Sequence, residues 1–200
     1  MKRLFAILLS SVLVLCLVTP NIPVEAASSK TKKKAIRAYK EWLDGADCTG
    51  VCVYDINKDG IKEMLITFDG YGKNVSEMLV YTYKNGKVVS CNKDYMPDYS
   101  MFGFTVNTKT KRVYGSRGGG GSIEKWYYTL NKKKKIKKVY LQAIESGYNY
   151  RTGKMKYNYY YNGKKITKKK YTSLLKTWNK NSKPLKFHKM TVKNIKKYIK

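Results

Sequence analysis

Residues 77–91 read EMLVYTYKNGKVVSC, two short runs rich in β-branched and aromatic residues on either side of Asn85-Gly86. Asn-Gly is a preferred pair for a two-residue hairpin turn, because both positions adopt a positive φ. The segment therefore predicts an antiparallel hairpin with strands over 77–83 and 87–91. Comparable runs on both sides of it predict that this hairpin belongs to a longer series of strands.

The strand-and-turn pattern covers most of the chain between residues 50 and 161. Glycine-rich or basic turns separate the runs, with Gly118–Gly121 as a hairpin tip and Thr152-Gly153 as a later turn. We expect an antiparallel β-meander that forms a curled sheet or partial barrel. Besides the hairpin above, the predicted strands are 50–55, 63–68, 102–107, 111–116, 125–130, 136–144, 149–151 and 154–161.

Helical spacing appears only near the two ends of the chain. Apolar residues over 31–44 recur with a helical period, and Gly45 ends the pattern. Thr167 and Thr191 are each placed to cap a helix that follows. The sequence therefore predicts an α+β fold: an N-terminal helix, an antiparallel meander and two C-terminal helices.

The first 26 residues have the three regions of a cleavable secretory signal peptide. Lys2 and Arg3 are positive, residues 4–18 are apolar apart from two serines, and Val24-Glu25-Ala26 fits a cleavage site. The apolar run is shorter than the ~20 residues that a spanning helix needs. We therefore predict that 1–26 are removed, and that 27–200 form a single secreted domain without a transmembrane segment, released or retained at the cell wall.

Charge is distributed unevenly along the chain. Residues 41–98 hold ten acids and six bases, whereas residues 125–200 hold 24 bases and one acid, a net charge of +23. Because such a charge attracts polyanions, we predict an anionic cell-wall polymer or phospholipid surface as partner, with nucleic acid as a non-specific alternative. The other alternative is that lysine only solubilises the domain. The predicted contact is the densest run: Lys132, Lys133, Lys134, Lys135, Lys137 and Lys138.

Residues 55–63 read DINKDGIKE, which places oxygen donors at alternate positions of a tight turn. Calcium prefers about six to eight oxygen ligands, and a glycine at the sixth position permits the sharp bend. The pattern predicts a weak, structural Ca²⁺ site without a catalytic role. The alternative is a polar β-turn, since Asp, Asn and Gly are common turn residues. The predicted ligands are Asp55, Asn57, Asp59, the Ile61 carbonyl and Glu63.

From residue 27 onward the chain has three cysteines, Cys48, Cys52 and Cys91. Exported proteins usually pair their cysteines, and an odd number leaves at least one free. A Cys48–Cys52 bridge along a strand would have to span about 13 Å, which is too far for a disulfide. We therefore predict at most one disulfide, with Cys91 as one partner. A zinc framework is excluded, because the cysteines are few and the only histidine, His188, is distant.

Beyond the signal peptide and the N-terminal helix, three stretches resemble a loose group of secreted proteins from clostridial-type Firmicutes: residues 54–66, 80–88 and 160–167. The loop is also similar to the short calcium loops of FG-GAP and dockerin-type modules, but not to an EF-hand, whose twelfth-position glutamate is replaced by Ile66. Dockerin modules also carry a twelfth-position acid and a second copy, which this chain lacks. The resemblance implies a secreted, Gram-positive-type protein and brings no established activity.

Together these observations predict a secreted basic domain that binds anionic cell-envelope polymers and is stabilised by a structural calcium ion. The sequence offers no convergent acid–base pair and no nucleophile–base set, which argues against an enzyme. The alternative function is a small secreted hydrolase, either a calcium-assisted nuclease or a cell-wall hydrolase, built from the carboxylates in 41–98.

Overall fold

The computed structural model describes residues 27–73, 75–131 and 133–200. The predicted signal peptide, residues 1–26, lies outside the described residues. Within the described ranges the chain forms three α-helices and thirteen antiparallel strands in two curled, open sheets, which confirms the predicted α+β class. The helices are α1 Ser29–Asp44, α2 Lys168–Asn179 and α3 Val192–Tyr198, and a short 3₁₀ helix spans Lys93–Tyr95.

The predicted meander divides into two sheets. The first contains β1 Gly50–Tyr54, β2 Glu63–Thr67, β3 Glu77–Lys84, β4 Lys87–Ser90, β5 Asp98–Tyr99 and β13 His188–Lys189. The second contains β6 Thr105–Asn107, β7 Arg112–Gly119, β8 Ser122–Leu130, β9 Ile136–Asn149, β10 Lys154–Tyr161, β11 Lys164–Ile166 and β12 Ser182–Pro184. The strand orders are β13-β1-β2-β3-β4, with β5 on β3, and β11-β10-β9-β8-β7-β6-β12.

The elements stack in layers, and each interface has its own hydrophobic cluster. The cluster between the two sheets includes Leu65 and Val80 from the first sheet and Val113, Trp126 and Tyr128 from the second. Helix α1 covers the outer face of the first sheet, and α2 covers the outer face of the second. The alternation of side chains along β2 therefore sends Met64 and Ile66 towards α1 and Leu65 towards the opposite sheet.

The capping residues predicted from sequence are confirmed. The Thr167 hydroxyl accepts a hydrogen bond from the Lys170 N–H, and the Thr191 hydroxyl accepts one from the Asn194 N–H. Helix α1 begins two residues earlier than expected, because the Ser28 hydroxyl caps it through the Thr31 N–H.

The predicted hairpins are also confirmed. Asn85 and Gly86 both adopt a positive φ and join β3 to β4. The glycine run forms the β7–β8 tip, where Gly119 pairs with Ser122. None of the helices in the described part of the chain is long and apolar enough to cross a membrane.

The outermost strands of both sheets carry lysine or proline. In the first sheet, Lys87 lies on β4 and Lys189 on β13. In the second, the exposed Lys164 and Lys165 lie on β11, and Pro184 ends β12. Charge and proline at a sheet edge oppose pairing with a strand from another chain.

Candidate calcium-type loop and basic surface

The calcium-type loop connects β1 to β2. Helix α1 holds it from one side, because the Tyr39 hydroxyl donates to the Lys62 carbonyl over 2.8 Å. The Ala27 N–H donates to the Asp59 carbonyl over 2.9 Å. Gly60 adopts φ +83°, the conformation for which the sequence required a glycine at this position.

The side chains of the loop fold back onto its own backbone. Asn57 Oδ1 accepts from the Asp59 N–H over 3.1 Å, and Asp59 Oδ1 accepts from the Ile61 N–H over 2.9 Å. Asp55 Oδ2 accepts from the Gly60 N–H over 3.1 Å. Asp55 Oδ1 is buried and has no hydrogen-bond partner. Burial and, to a smaller extent, the nearby Asp59 charge raise the pKa of Asp55 above its ordinary value.

Glu63 is fully buried at the end of the loop. It points into the space between the sheets, where Oε2 accepts from the Ile56 N–H over 2.9 Å and Oε1 accepts from the Thr82 hydroxyl over 3.1 Å. Burial, with smaller contributions from Asp59 and Asp55, raises the pKa of this carboxyl to about 8. A carboxylate in such surroundings is stabilised by any cation that reaches it.

The loop already has one cation partner, which the sequence did not predict. Lys134, from the turn between β8 and β9, reaches across the interface of the two sheets and pairs with Asp59 Oδ2. The Asn131 side chain shapes this turn by accepting the N–H groups of Lys133 and Lys135. The basic turn and the acidic loop are therefore packed against each other.

This contact changes the interpretation of the predicted polyanion-binding run. Besides Lys134, Lys138 pairs with Asp98 over 2.5 Å, and Lys135 donates to the Ser90 carbonyl over 3.1 Å. Lys133 and Lys137 are exposed, and Lys132 lies outside the described residues. Three of the six predicted lysines therefore serve contacts within the chain.

The structure brings the predicted calcium ligands into one loop without arranging their side chains as a preformed cage. Among the described residues, no three His, Cys, Asp or Glu side chains converge closely enough to hold a metal ion as they stand. The unpartnered Asp55 oxygen and the buried Glu63 fit a cation, and the Lys134 ammonium competes for Asp59. A metal at this loop would draw on Asp55, Asn57, Asp59, the Ile61 carbonyl and Glu63.

The predicted disulfide to Cys91 is absent from the structure, in which all three described cysteines are free and buried. Cys48 lies in the cluster under α1, and the other two thiols lie between the sheets. Cys52 is on β1, and Cys91 follows β4, three strands away, a separation of about 14 Å. Burial raises the pKa of the Cys48 thiol to about 11 and that of Cys91 to about 12.

His188 also lies apart from the loop. Its ring stacks on Tyr198 with the centroids 3.4 Å apart. Partial burial, followed by the charges of Lys186 and Lys197, lowers the pKa of His188.

The largest set of unpaired positive charges lies in the last part of the chain. Residues 146–200 hold 17 basic residues and no acid. None of these 17 makes an ion pair with a described side-chain carboxylate. Five of them lie close together on the edge strand β11 and in the first turn of α2, and all five are exposed: Lys164, Lys165, Lys168, Lys169 and Lys170.

Comparisons with protein-family models, curated proteins and solved structures found no match.

Proposed function

We propose that this protein is a secreted domain that binds anionic cell-envelope polymers, and that calcium stabilises it through the 55–63 loop. The observation that supports the binding role is the set of 17 basic residues in 146–200 that form no ion pair with an acidic residue in the described part of the chain. Unpaired cations on one stretch of chain repel one another, and a polyanion relieves that repulsion.

The contact surface is centred on β11 and the start of α2. The first turn of α2 contains no acidic residue and three lysines, Lys168, Lys169 and Lys170. The N-terminus of a helix carries partial positive charge, so lysines are unfavourable there and anions are favourable. Lys164 lies on the same face of β11 as Ile166, which packs under α2, and extends this surface along the sheet edge, whereas Lys165 projects from the opposite face of the same edge strand. We name the five lysines the β11–α2 surface.

Charge removal at the β11–α2 surface should weaken polymer binding more than the same removal elsewhere. The test variant is Lys168→Gln/Lys169→Gln/Lys170→Gln. Its control is Lys73→Gln/Lys84→Gln/Lys87→Gln, which removes three exposed lysines from the acidic half of the chain. Binding to purified wall teichoic acid is measured over a series of salt concentrations. The test variant should flatten the salt slope by up to roughly 2, because each phosphate contact on a single-chain polymer contributes at most about the 0.7 that applies to single-stranded nucleic acid.

Equal losses in the two triple variants would instead support a diffuse, solubilising charge. Binding of the wild type that does not fall with salt, or no binding at all, would contradict the polyanion proposal.

Calcium should raise the melting temperature of the protein by a few degrees. With a dissociation constant of about 0.1–1 mM, ~5 mM Ca²⁺ stabilises the folded state by roughly 1–2 kcal/mol. Asp55→Asn should remove the shift, because it removes the charge next to the unpartnered oxygen. Lys58→Ala should preserve or enlarge it, and Lys134→Met should enlarge it by freeing Asp59 of its competitor. The measurement is a thermal melt in CaCl₂ and in EDTA for each variant.

A wild-type melting temperature that is the same in both buffers would show that the loop is only a polar turn. A shift that survives in Asp55→Asn would place the ion elsewhere.

The alternative function, a small secreted hydrolase, has no specific observation in its favour among the described residues. The thiols lie inside two core clusters, and His188 is stacked on Tyr198.

A further inference from the structure

A second surface with the chemistry of a ligand site lies at the C-terminal end of α1, on the outer face of the first sheet. It is a cavity of about 450 Å³ between the helix end, the β2 strand and the β3 strand. Nothing in the proposed polymer or calcium contacts uses it. The residues that line the cavity include Glu41, Trp42, Asp47, Ile66, Phe68 and Tyr81.

Three aromatic rings form its walls, each from a different part of the fold. Trp42 of α1 and Tyr81 of β3 are in contact, with ring centroids 4.6 Å apart and planes inclined at 44°. Phe68, just after β2, leaves 47% of its surface exposed. Ile66, which is fully buried, closes the floor. A half-exposed phenyl ring beside an inclined pair of rings offers π-faces to a ligand.

The charge around the cavity is negative, in a protein with a formal net charge of +29. Glu41 and Asp47 line it, and the last turn of α1 contains no basic residue. The C-terminus of a helix carries partial negative charge, so acids at this position are unfavourable for α1 itself. Glu41 is partly compensated by Arg37 at 2.8 Å, whereas Asp47 makes no ion pair with any described residue.

Aromatic faces combined with negative charge suit one class of ligand. An organic cation gains from the ring quadrupoles and from a carboxylate together, and quaternary ammonium groups are recognised in this way. A bare metal ion would gain nothing from the apolar walls. A neutral sugar would stack on the rings but would not need the acids at an unfavourable helix end.

We infer that this cavity binds an organic cation with an alkylated ammonium group. Trp42, Phe68 and Tyr81 contact the alkyl groups of the cation, and Asp47 supplies the opposite charge. The inference is independent of the polymer and calcium proposals, because no residue of the cavity belongs to either surface.

The test uses choline as the cationic probe and 3,3-dimethyl-1-butanol as its neutral isostere, which has the same shape without the charge. Trp42 is a suitable fluorescence reporter, because Trp126 and Trp178 are only 1% and 3% exposed. Choline should change the Trp42 emission in a saturable way, and titration calorimetry should give the same dissociation constant. The neutral isostere should bind at least about tenfold more weakly, since it lacks the charge-dependent part of the interaction.

Two matched variants separate the cavity from the surrounding acidic surface. Asp47→Asn removes the carboxylate that lines the cavity, and Asp44→Asn removes an exposed carboxylate of the same helix end that does not line it. Asp47→Asn should weaken choline binding by roughly five- to tenfold, and Asp44→Asn should change it by less than about twofold. Phe68→Ala should also weaken choline binding. It should leave the hydrophobic core intact, because the Phe68 ring is half exposed.

Equal affinities for choline and its neutral isostere would overturn the inference and leave an unspecific apolar pocket. Binding of glucose in place of choline would overturn it in favour of a sugar site. The absence of any response to choline or glucose at ~50 mM would also overturn the inference. Equal losses of choline affinity in Asp47→Asn and Asp44→Asn would do the same.

Discussion

Glu63→Gln should be more stable than the wild type at pH 8 in EDTA, and most of this advantage should disappear at pH 5. Burial raises the pKa of Glu63 from 4.5 to about 8, so the folded state favours the protonated carboxyl. The stability that this proton contributes is fully present below about pH 4.5 and is lost as the pH rises through 8. This pKa shift corresponds to roughly a few kcal/mol in the free energy of unfolding.

A glutamine at position 63 has the shape and neutrality of the protonated Glu63 carboxyl, but it does not titrate. Its carbonyl oxygen accepts from the Ile56 N–H, and its amide donates to the Thr82 hydroxyl, which rotates to accept. Glu63→Ala should behave differently and destabilise the protein at both pH values by about 3 kcal/mol or more, because it leaves the Ile56 N–H unsatisfied and opens a cavity.

The measurement is urea unfolding at pH 5 and pH 8, for the wild type, Glu63→Gln and the exposed control Glu145→Gln. The difference between wild type and Glu63→Gln isolates this carboxyl from His188, whose lowered pKa gives a contribution of opposite sign. A difference that is the same at both pH values would contradict the raised pKa. With Ca²⁺ in place of EDTA, the difference at pH 8 should shrink, since the ion stabilises the ionised carboxylate.

Gly115→Ala should lower the free energy of unfolding by about 1–3 kcal/mol, or the melting temperature by roughly 3–10 °C. Gly115 of β7 pairs with Trp126 of β8, and an added methyl group would lie 2.6 Å from indole Cζ2 and 2.7 Å from Cε2. Trp126 cannot move aside easily, because it is 1% exposed and packs between Tyr128 and Tyr140.

Gly118→Ala is the matched control for this prediction. It is the same substitution on the same strand, and its added methyl group would make only ordinary contacts, the nearest at 3.7 Å from Phe102 Cε2. Thermal melts of both variants give the comparison. Equal losses would show that the cost arises from replacing a glycine in β7 and not from the indole.

Local patterns in the sequence predicted the elements well. The Asn85-Gly86 turn, the Thr167 and Thr191 caps and the Gly60 bend each depend on residues only a few positions apart, so short-range rules were sufficient. The division into two sheets was not predictable in this way, because alternation within a strand does not specify which sheet the strand joins.

The contacts at the candidate site that the sequence did not predict have the same origin. Lys134 and Asp59 meet because the two sheets pack face to face, and no local pattern in the sequence indicates that contact. Cys52 and Cys91 lie on the same side of the first sheet but three strands apart, a distance set by strand order. The cavity that contains Trp42, Phe68 and Tyr81 likewise combines three separate elements.

The lysines at the sheet edges have a consequence for the behaviour of many copies of the protein. Lys164 and Lys165 both lie on β11, which is an open edge and part of the β11–α2 surface. A polymer that neutralises these two lysines also removes the charge that keeps β11 from pairing with a strand of another molecule. Copies bound along one anionic chain would then be able to pair through their β11 edges. Polymer binding would in that case promote ordered assembly of the protein along the polymer.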